Sequence, residues 1–145
     1  MLYGLRVGVR HLLDEGRETT WERHARLAAV VQAGLEALGL RLVAPEGRRS
    51  STVTAAWLPD GIEWPALTAE LRRRGLAIAG GQGKLAGKIL RIGHMGDVHL
   101  PELLDAVRVL GETLPDFGVA ADAAAGVDAA RRRDEDLRPA ASAAR

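Results

Sequence analysis

The residues most able to do chemistry are concentrated in one segment, residues 80–96, which reads GGQGKLAGKILRIGHMG. This segment places two lysines, one arginine and one histidine among six glycines. Four kinds of site fit that composition at first sight. They are a phosphate-binding loop, a dinucleotide-binding fingerprint, a metal site, and a glycine-hinged pair of strands that carries one functional side chain.

The two nucleotide-binding patterns do not fit the segment in detail. A P-loop needs G-x-x-x-x-G-K-[ST] between a strand and a helix, because the loop amides and the helix N-terminus hold the phosphate together. Around Gly87 and Lys88, Gln82 replaces the first glycine, Ile89 replaces the hydroxyl residue, and a strand pattern follows. The dinucleotide fingerprint is excluded because GHMG lacks a G-x-G start and comes near the end of the domain.

A metal site has only partial support. His94 and His99 are five residues apart in a predicted loop with Asp97 between them, a spacing that zinc could use. The sequence indicates no third or fourth ligand, and His11 and His24 fall in predicted helices. We therefore predict no metal site.

The remaining interpretation is a strand, a glycine loop and a second strand that carries Arg91. This arginine interrupts the otherwise apolar pattern at 88–92, where alternation places Ile89 and Arg91 on one face and Leu90 and Ile92 on the other. A guanidinium on a rigid strand suits bidentate binding of a carboxylate. On the pattern alone, an edge-strand arginine that faces water is the favoured interpretation.

The elements that must position Arg91 follow from the hydrophobic periodicity. Helical spacing alternates with period-two runs, and the glycines and prolines mark the ends. The order predicts an α+β domain, in which a small, mainly antiparallel sheet of about four strands has helices on one face and follows a long pair of linking helices. The predicted helices are 1–15, 20–38, 63–74 and 100–114, and the predicted strands are 40–44, 50–59, 76–79 and 88–92.

Composition limits the domain organisation. A chain of 145 residues with 47% apolar residues can form one domain with a real core. The segment 118–145 is rich in alanine, and its arginines at 131–133 are followed at once by three acids. We predict a folded domain at 1–117 and a disordered or weakly helical Ala/Arg/Asp-rich tail at 118–145.

The charges and the cysteine count exclude several function classes. With 20 Lys and Arg against 19 Asp and Glu, no overall field favours nucleic acid or an anionic membrane. The absence of cysteine excludes disulfides, thiolate metal sites and cysteine nucleophiles. No apolar run reaches the length of a membrane span, and the N-terminus lacks a signal-peptide pattern. The expected location is the cytoplasm.

Residues 75–96, GLAIAGGQGKLAGKILRIGHMG, resemble the C-terminal signature of class V, fold type I aminotransferases that use pyridoxal phosphate (PLP), in particular the alanine:glyoxylate and serine:pyruvate group. The resemblance extends over about residues 2–114, and the glycine loop with LRIGHMG is its specific part. In this family the arginine of the R-I-G motif binds the α-carboxylate of the substrate. That role matches Arg91, and the resemblance transfers no catalytic or cofactor-binding residue.

The resemblance implies an amino-group transfer between alanine or serine and a 2-oxo acid such as glyoxylate or pyruvate. It also implies that PLP is held mainly by a large domain that would precede Met1, since Lys84 and Lys88 do not match the lysine that binds PLP covalently. We therefore expect the chain alone to be inactive, to need the PLP-binding large domain or a complementary chain, and to form a homodimer in the complete enzyme. An apolar stripe within residues 1–15 is the expected interface. The alternative is a non-catalytic binding module that keeps this fold.

Overall fold

The computed structural model describes residues 2–138, with side chains from Tyr3 onward. Helices and strands alternate much as predicted, and short 3₁₀ turns lie at Gly83–Leu85 and Leu114–Phe117. The elements are α1 (Leu2–Glu15), α2 (Arg17–Ala37), β1 (Val53–Trp57), α3 (Trp64–Arg73), β2 (Ala79–Gly80), β3 (Ile89–Gly93), α4 (Leu100–Thr113) and α5 (Ala123–Leu137).

The sheet is antiparallel and contains three strands in the order β1-β3-β2. The predicted strand at 40–44 is reduced to a bridge between Leu42 and Ala56, supported by a bond from the Val43 amide to the Ala55 carbonyl. Pro45 follows directly and has no backbone N–H, so the pairing cannot continue. The α+β class with a small antiparallel sheet is confirmed, with three strands and a bridge instead of four strands.

One face of the sheet carries the core. Thr54 and Ala56 of β1 and Leu90 and Ile92 of β3 are buried there, since residues directly opposite each other in an antiparallel pair point to the same side. The helices cover this face with buried side chains that include Leu27, Val31 and Leu35 of α2, Leu67 and Leu71 of α3, and Leu103, Val107 and Leu110 of α4.

The first helix contributes little to this core. Gly16, with φ of 87°, separates α1 from α2, a conformation that glycine adopts without strain. Large apolar side chains on α1 remain exposed: Tyr3, Leu5, Val7, Val9, Leu12 and Leu13. Within residues 2–138, no helix combines the length and the apolarity needed to cross a bilayer.

Most of the segment 118–145, predicted as a disordered or weakly helical tail, is a packed helix. Residues 123–137 form α5, which packs against α2 and α4, while residues 139–145 lie outside the described part of the chain. Asp122 caps the helix by accepting a 3.0 Å hydrogen bond from the Ala125 amide. The folded unit thus extends past residue 117.

Small residues explain why the alanine-rich segment folds. A Cβ placed on Gly126 would lie 2.7 Å from a methyl of Leu38, and one placed on Gly111 would lie 2.7 Å from the Cα of Ala123. The helices approach so closely because these positions have no side chain. Burial here comes from backbone proximity, which composition alone does not indicate.

An ion pair fixes the far end of α5. Asp134 is buried, and its Oδ1 lies 3.1 Å from Nη1 of Arg26 on α2. Its Oδ2 accepts a 2.8 Å hydrogen bond from Nε of Arg138. The carboxylate therefore links α5 to α2 where the small-residue contact ends.

Candidate functional site

Arg91 occupies the middle of the central strand and faces away from the core. Its cross-strand neighbours are both alanines, Ala55 on β1 and Ala79 on β2. Facing residues on adjacent strands have Cβ atoms about 5 Å apart, so small neighbours leave room around a long side chain. Arg91 is half-buried, on the sheet face opposite the core.

One nitrogen of Arg91 is anchored and the others are available. Nε donates a 2.8 Å hydrogen bond to the Gly80 carbonyl on the edge strand β2. The two terminal nitrogens make no hydrogen bond to any residue in the described range 2–138. A guanidinium held at Nε presents its terminal nitrogens in a fixed direction, which suits a planar carboxylate.

The glycine-rich loop lies beside this arginine and explains the number of glycines. A Cβ on Gly81 would collide with the carbonyl of Leu85 and would lie 2.9 Å from Cγ1 of Ile89. Gly83 and Gly87 have φ of 53° and 72°, which only glycine adopts readily. The loop therefore folds tightly over Ile89 and buries it on the otherwise open face.

An open groove of about 610 Å³ adjoins Arg91. Its walls come from the segment before β2, from the loop after β3 and from the start of α4. They are mostly apolar, with one carboxylate, and include Ile78, Met95, Val98, Glu102 and Leu103. A small organic acid could be held there by one polar contact and apolar walls.

His94 and His99, the two candidate metal ligands, differ in their exposure to solvent. His94 is buried, and its Nε2 lies 2.9 Å from the hydroxyl of Thr54. Burial lowers the pKa of His94, which favours the neutral ring. His99 is exposed and lies 3.2 Å from Asp97. Across residues 2–138, no group of three His, Asp or Glu side chains is arranged to hold a metal ion.

The two lysines of the glycine loop lie at the surface. Lys84 and Lys88 are both exposed to solvent. Covalent PLP chemistry requires a lysine in an enclosed site with groups that bind the cofactor's phosphate and ring nitrogen. The exposed side chains of Lys84 and Lys88 lack the enclosure that this chemistry requires.

The sequence did not reveal a set of contacts that holds the loop after β3. Nη1 of Arg23 donates to the carbonyls of Gly96 and Val98 at 3.0 and 3.3 Å. Nε2 of His24 accepts a 3.2 Å hydrogen bond from the Gly96 amide. Both side chains lie on α2, more than 70 residues earlier in the chain. No local pattern could have predicted this pairing.

This fold is that of part of an aminotransferase, as comparison with known proteins shows. An uncharacterized aminotransferase of Methanocaldococcus jannaschii is 43% identical over 119 residues, which are 81% of this chain and 31% of that protein. A serine–glyoxylate aminotransferase of Methylorubrum extorquens is 38% identical over 133 residues, 90% of this chain and 33% of that protein.

A solved structure gives the same result for the fold. The ureidoglycine–glyoxylate aminotransferase of Bacillus subtilis superposes with a TM-score of 0.86 and 37% identity, over 92% of this chain and 35% of that one. No family model matches the chain. The homologues and structural neighbours are class V aminotransferases, and the chain belongs to this family. It spans about a third of the length of these relatives.

Proposed function

We propose that the chain is the small domain of a PLP-dependent aminotransferase and that Arg91 binds the α-carboxylate of its substrates. The observation that carries this proposal is the anchored Nε of Arg91, with free terminal nitrogens on an open sheet face. Alanine or serine is the proposed amino donor and glyoxylate or pyruvate the acceptor. Homologues of the alanine- and serine-glyoxylate group support this choice.

The proposal divides the reaction between this chain and a PLP-binding portion. PLP, when bound, supplies the electron sink for amino-group transfer. Because Lys84 and Lys88 are exposed, we propose that PLP is held by the portion of the relatives that the chain does not span. The contribution of this chain is to bind and orient the substrate carboxylate and to exclude water along the apolar groove. The chain alone is then inactive.

The exposed apolar side chains of α1 support the proposal that a further protein surface covers this helix. Tyr3 and Leu13 are 78% and 74% exposed, an unusual state for large apolar side chains that lie on one helix. We propose that the PLP-binding portion covers this face, and that the complete enzyme is a cytoplasmic homodimer. Four residues of the stripe predicted within residues 1–15 are exposed on this helix: Leu5, Val9, Leu12 and Leu13.

A domain exchange tests the proposal. In the chimera, residues 2–138 replace the corresponding third of the Bacillus subtilis ureidoglycine–glyoxylate aminotransferase, the structural neighbour described above. We expect the chimera to bind PLP, as measured by the shift in cofactor absorbance, and to transfer the amino group of alanine or serine to glyoxylate. The isolated chain should do neither.

Two results would contradict the proposal. The first is a well-folded chimera that binds PLP and has no transaminase activity towards any small amino acid, which would favour a non-catalytic module. The second is a borohydride-stable PLP adduct on Lys84 or Lys88 of the isolated chain together with activity. That outcome would place the cofactor lysine inside this chain.

A further inference from the structure

Trp64 lies against the sheet on the face opposite Arg91 and does not line the groove. We propose that Trp64 is a positioning residue for Arg91 and acts through the backbone of Gly80. The inference deepens the proposed function, since it matters for activity only if Arg91 binds the substrate carboxylate. The link between Trp64, Gly80 and Arg91 is a property of this chain and can be measured without the cofactor.

The indole of Trp64 lies directly against Gly80. A Cβ built on Gly80 would be 2.6 Å from Cε2 and 2.7 Å from Nε1 of Trp64, so the ring occupies the space that a side chain would take. Trp64 is the first residue of α3 and packs against the hydrophobic core. The ring is therefore held by the core on one side and supports Gly80 on the other.

The two contacts of Gly80 come from opposite faces of the sheet. Gly80 pairs with Leu90, whose side chain is buried, so the missing side chain of Gly80 would also point to the core face, where Trp64 lies. Arg91 is on the open face and reaches the Gly80 carbonyl from there, at 2.8 Å. The glycine backbone lies between the indole and the guanidinium.

This support matters because β2 has few other constraints. The strand consists of Ala79 and Gly80 alone and lies at the edge of the sheet. A two-residue edge strand has only a short ladder to fix it, and edge positions open most easily. Without the indole, Gly80 would be free to shift toward the core, and its carbonyl would lose the geometry that a hydrogen bond from Arg91 requires.

The test follows the Nε–H of Arg91 by nitrogen-15 NMR in the full chain. Loss of one signal in Arg91→Lys identifies it. We expect its exchange with water to be slow in the unmodified chain and to become at least about tenfold faster in Gly80→Ala and in Trp64→Phe, because opening of this hydrogen bond limits exchange. The matched controls are Gly93→Ala, where a Cβ would meet nothing within 4 Å, and Trp21→Phe at an exposed position of α2. Both controls should leave the exchange rate unchanged.

The same variants separate positioning from a general loss of structure. In the active chimera, Trp64→Phe should raise the KM for the amino donor about tenfold while kcat changes less than about twofold, as expected when one bond that orients a charged group is lost. If Gly80→Ala does not fold, Trp64→Phe alone decides. Unchanged Nε–H exchange in the folded variants would overturn the proposal. Faster exchange with an unchanged KM would instead overturn the carboxylate role of Arg91, and with it the catalytic meaning of the link.

Discussion

Glu15 and Arg23 are joined across the junction of the first two helices. Nε and Nη2 of Arg23 donate to the two carboxylate oxygens of Glu15 at 2.5 and 2.8 Å. The third nitrogen, Nη1, donates to the carbonyls of Gly96 and Val98 in the loop that follows β3. One guanidinium thus connects the end of α1, whose apolar face is exposed, with the loop next to Arg91.

The first prediction concerns the stability of the fold at low pH. Mainly through its hydrogen bonds from Arg23, the pKa of Glu15 is lowered from 4.5 to about 2. Because the folded-state pKa lies below the unfolded one, Glu15 adds stability above pH 4.5 and loses it as the pH falls towards 2. Urea unfolding between pH 6 and 2 should show a smaller pH dependence in Glu15→Gln than in Glu102→Gln. An NMR titration that placed the Glu15 carboxyl near 4.5 would contradict this.

A second pH effect arises from His94. Burial lowers its pKa below the usual 6.5, so the unfolded chain takes up a proton before the folded chain does. The stabilising contribution is complete above pH 6.5 and is lost as the pH falls through the folded-state pKa. Comparing urea midpoints at pH 7.5 and 5 should give a smaller difference in His94→Gln than in the matched variant of exposed His99. Equal differences in the two variants would show that His94 is not the titrating group.

The packing of α5 gives a third prediction. Gly126→Ala places a methyl 2.7 Å from Leu38, and overpacking of this kind costs about 1–3 kcal/mol of unfolding free energy. The matched change Gly8→Ala meets nothing within 4 Å on α1 and should be neutral or add up to about 1 kcal/mol of stability. Denaturant unfolding measures both. A Gly126→Ala chain as stable as the unmodified one would mean that α5 does not pack as described.

The buried carboxylate of Asp134 on α5 gives a fourth prediction. Asp134→Asn leaves Arg26 without its ionic partner, and a loss of about 1–3 kcal/mol is expected, below the range for fully buried pairs because Arg26 is 31% exposed. Asp136→Asn, two residues along on the exposed side, should change stability by less than about 0.5 kcal/mol. Calorimetry of the two variants checks this, and similar values for both would argue against the ion pair.

The fifth prediction concerns Arg91 itself in the active chimera. Removing the guanidinium in Arg91→Ala should reduce transition-state binding by about 2–4 kcal/mol, the usual cost of truncating one partner of a desolvated charge pair. Arg91→Lys keeps the charge but loses the planar fork, so kcat/KM should still fall. Arg72→Ala, an exposed arginine on α3, is the control. An Arg91→Ala enzyme with the kcat/KM of the control would refute the assignment.

Much of the fold follows from local pattern, and the exceptions have a physical cause. The helices at 63–74 and 100–114 and the strand at 88–92 were predictable because periodicity, Pro65 and Pro101 mark them in the sequence. The extent of β2 was not, because it is set by pairing with β3, which involves only Ala79 and Gly80. Helix α5 was missed because its burial depends on glycines of distant helices.

The candidate site also has some features that the sequence predicts and others that it does not. Placing Arg91 and Ile89 on the face opposite Leu90 and Ile92 required only strand alternation, and the register agrees with it. The anchor of the arginine is a backbone carbonyl of another strand, and backbone carbonyls carry no sequence signature. The contact between Trp64 and Gly80 depends on tertiary geometry alone.

The pairing of α2 with α5 also has a consequence for synthesis on the ribosome. The face of α2 that receives α5 leaves the exit tunnel early, and its cover is translated on the order of ten seconds later, given ordinary elongation rates. During that interval the apolar side chains around Gly34 are exposed to chaperones and to other nascent chains. Translation pauses between the two helices should therefore lower the yield of soluble protein, even though every codon still specifies the same residues.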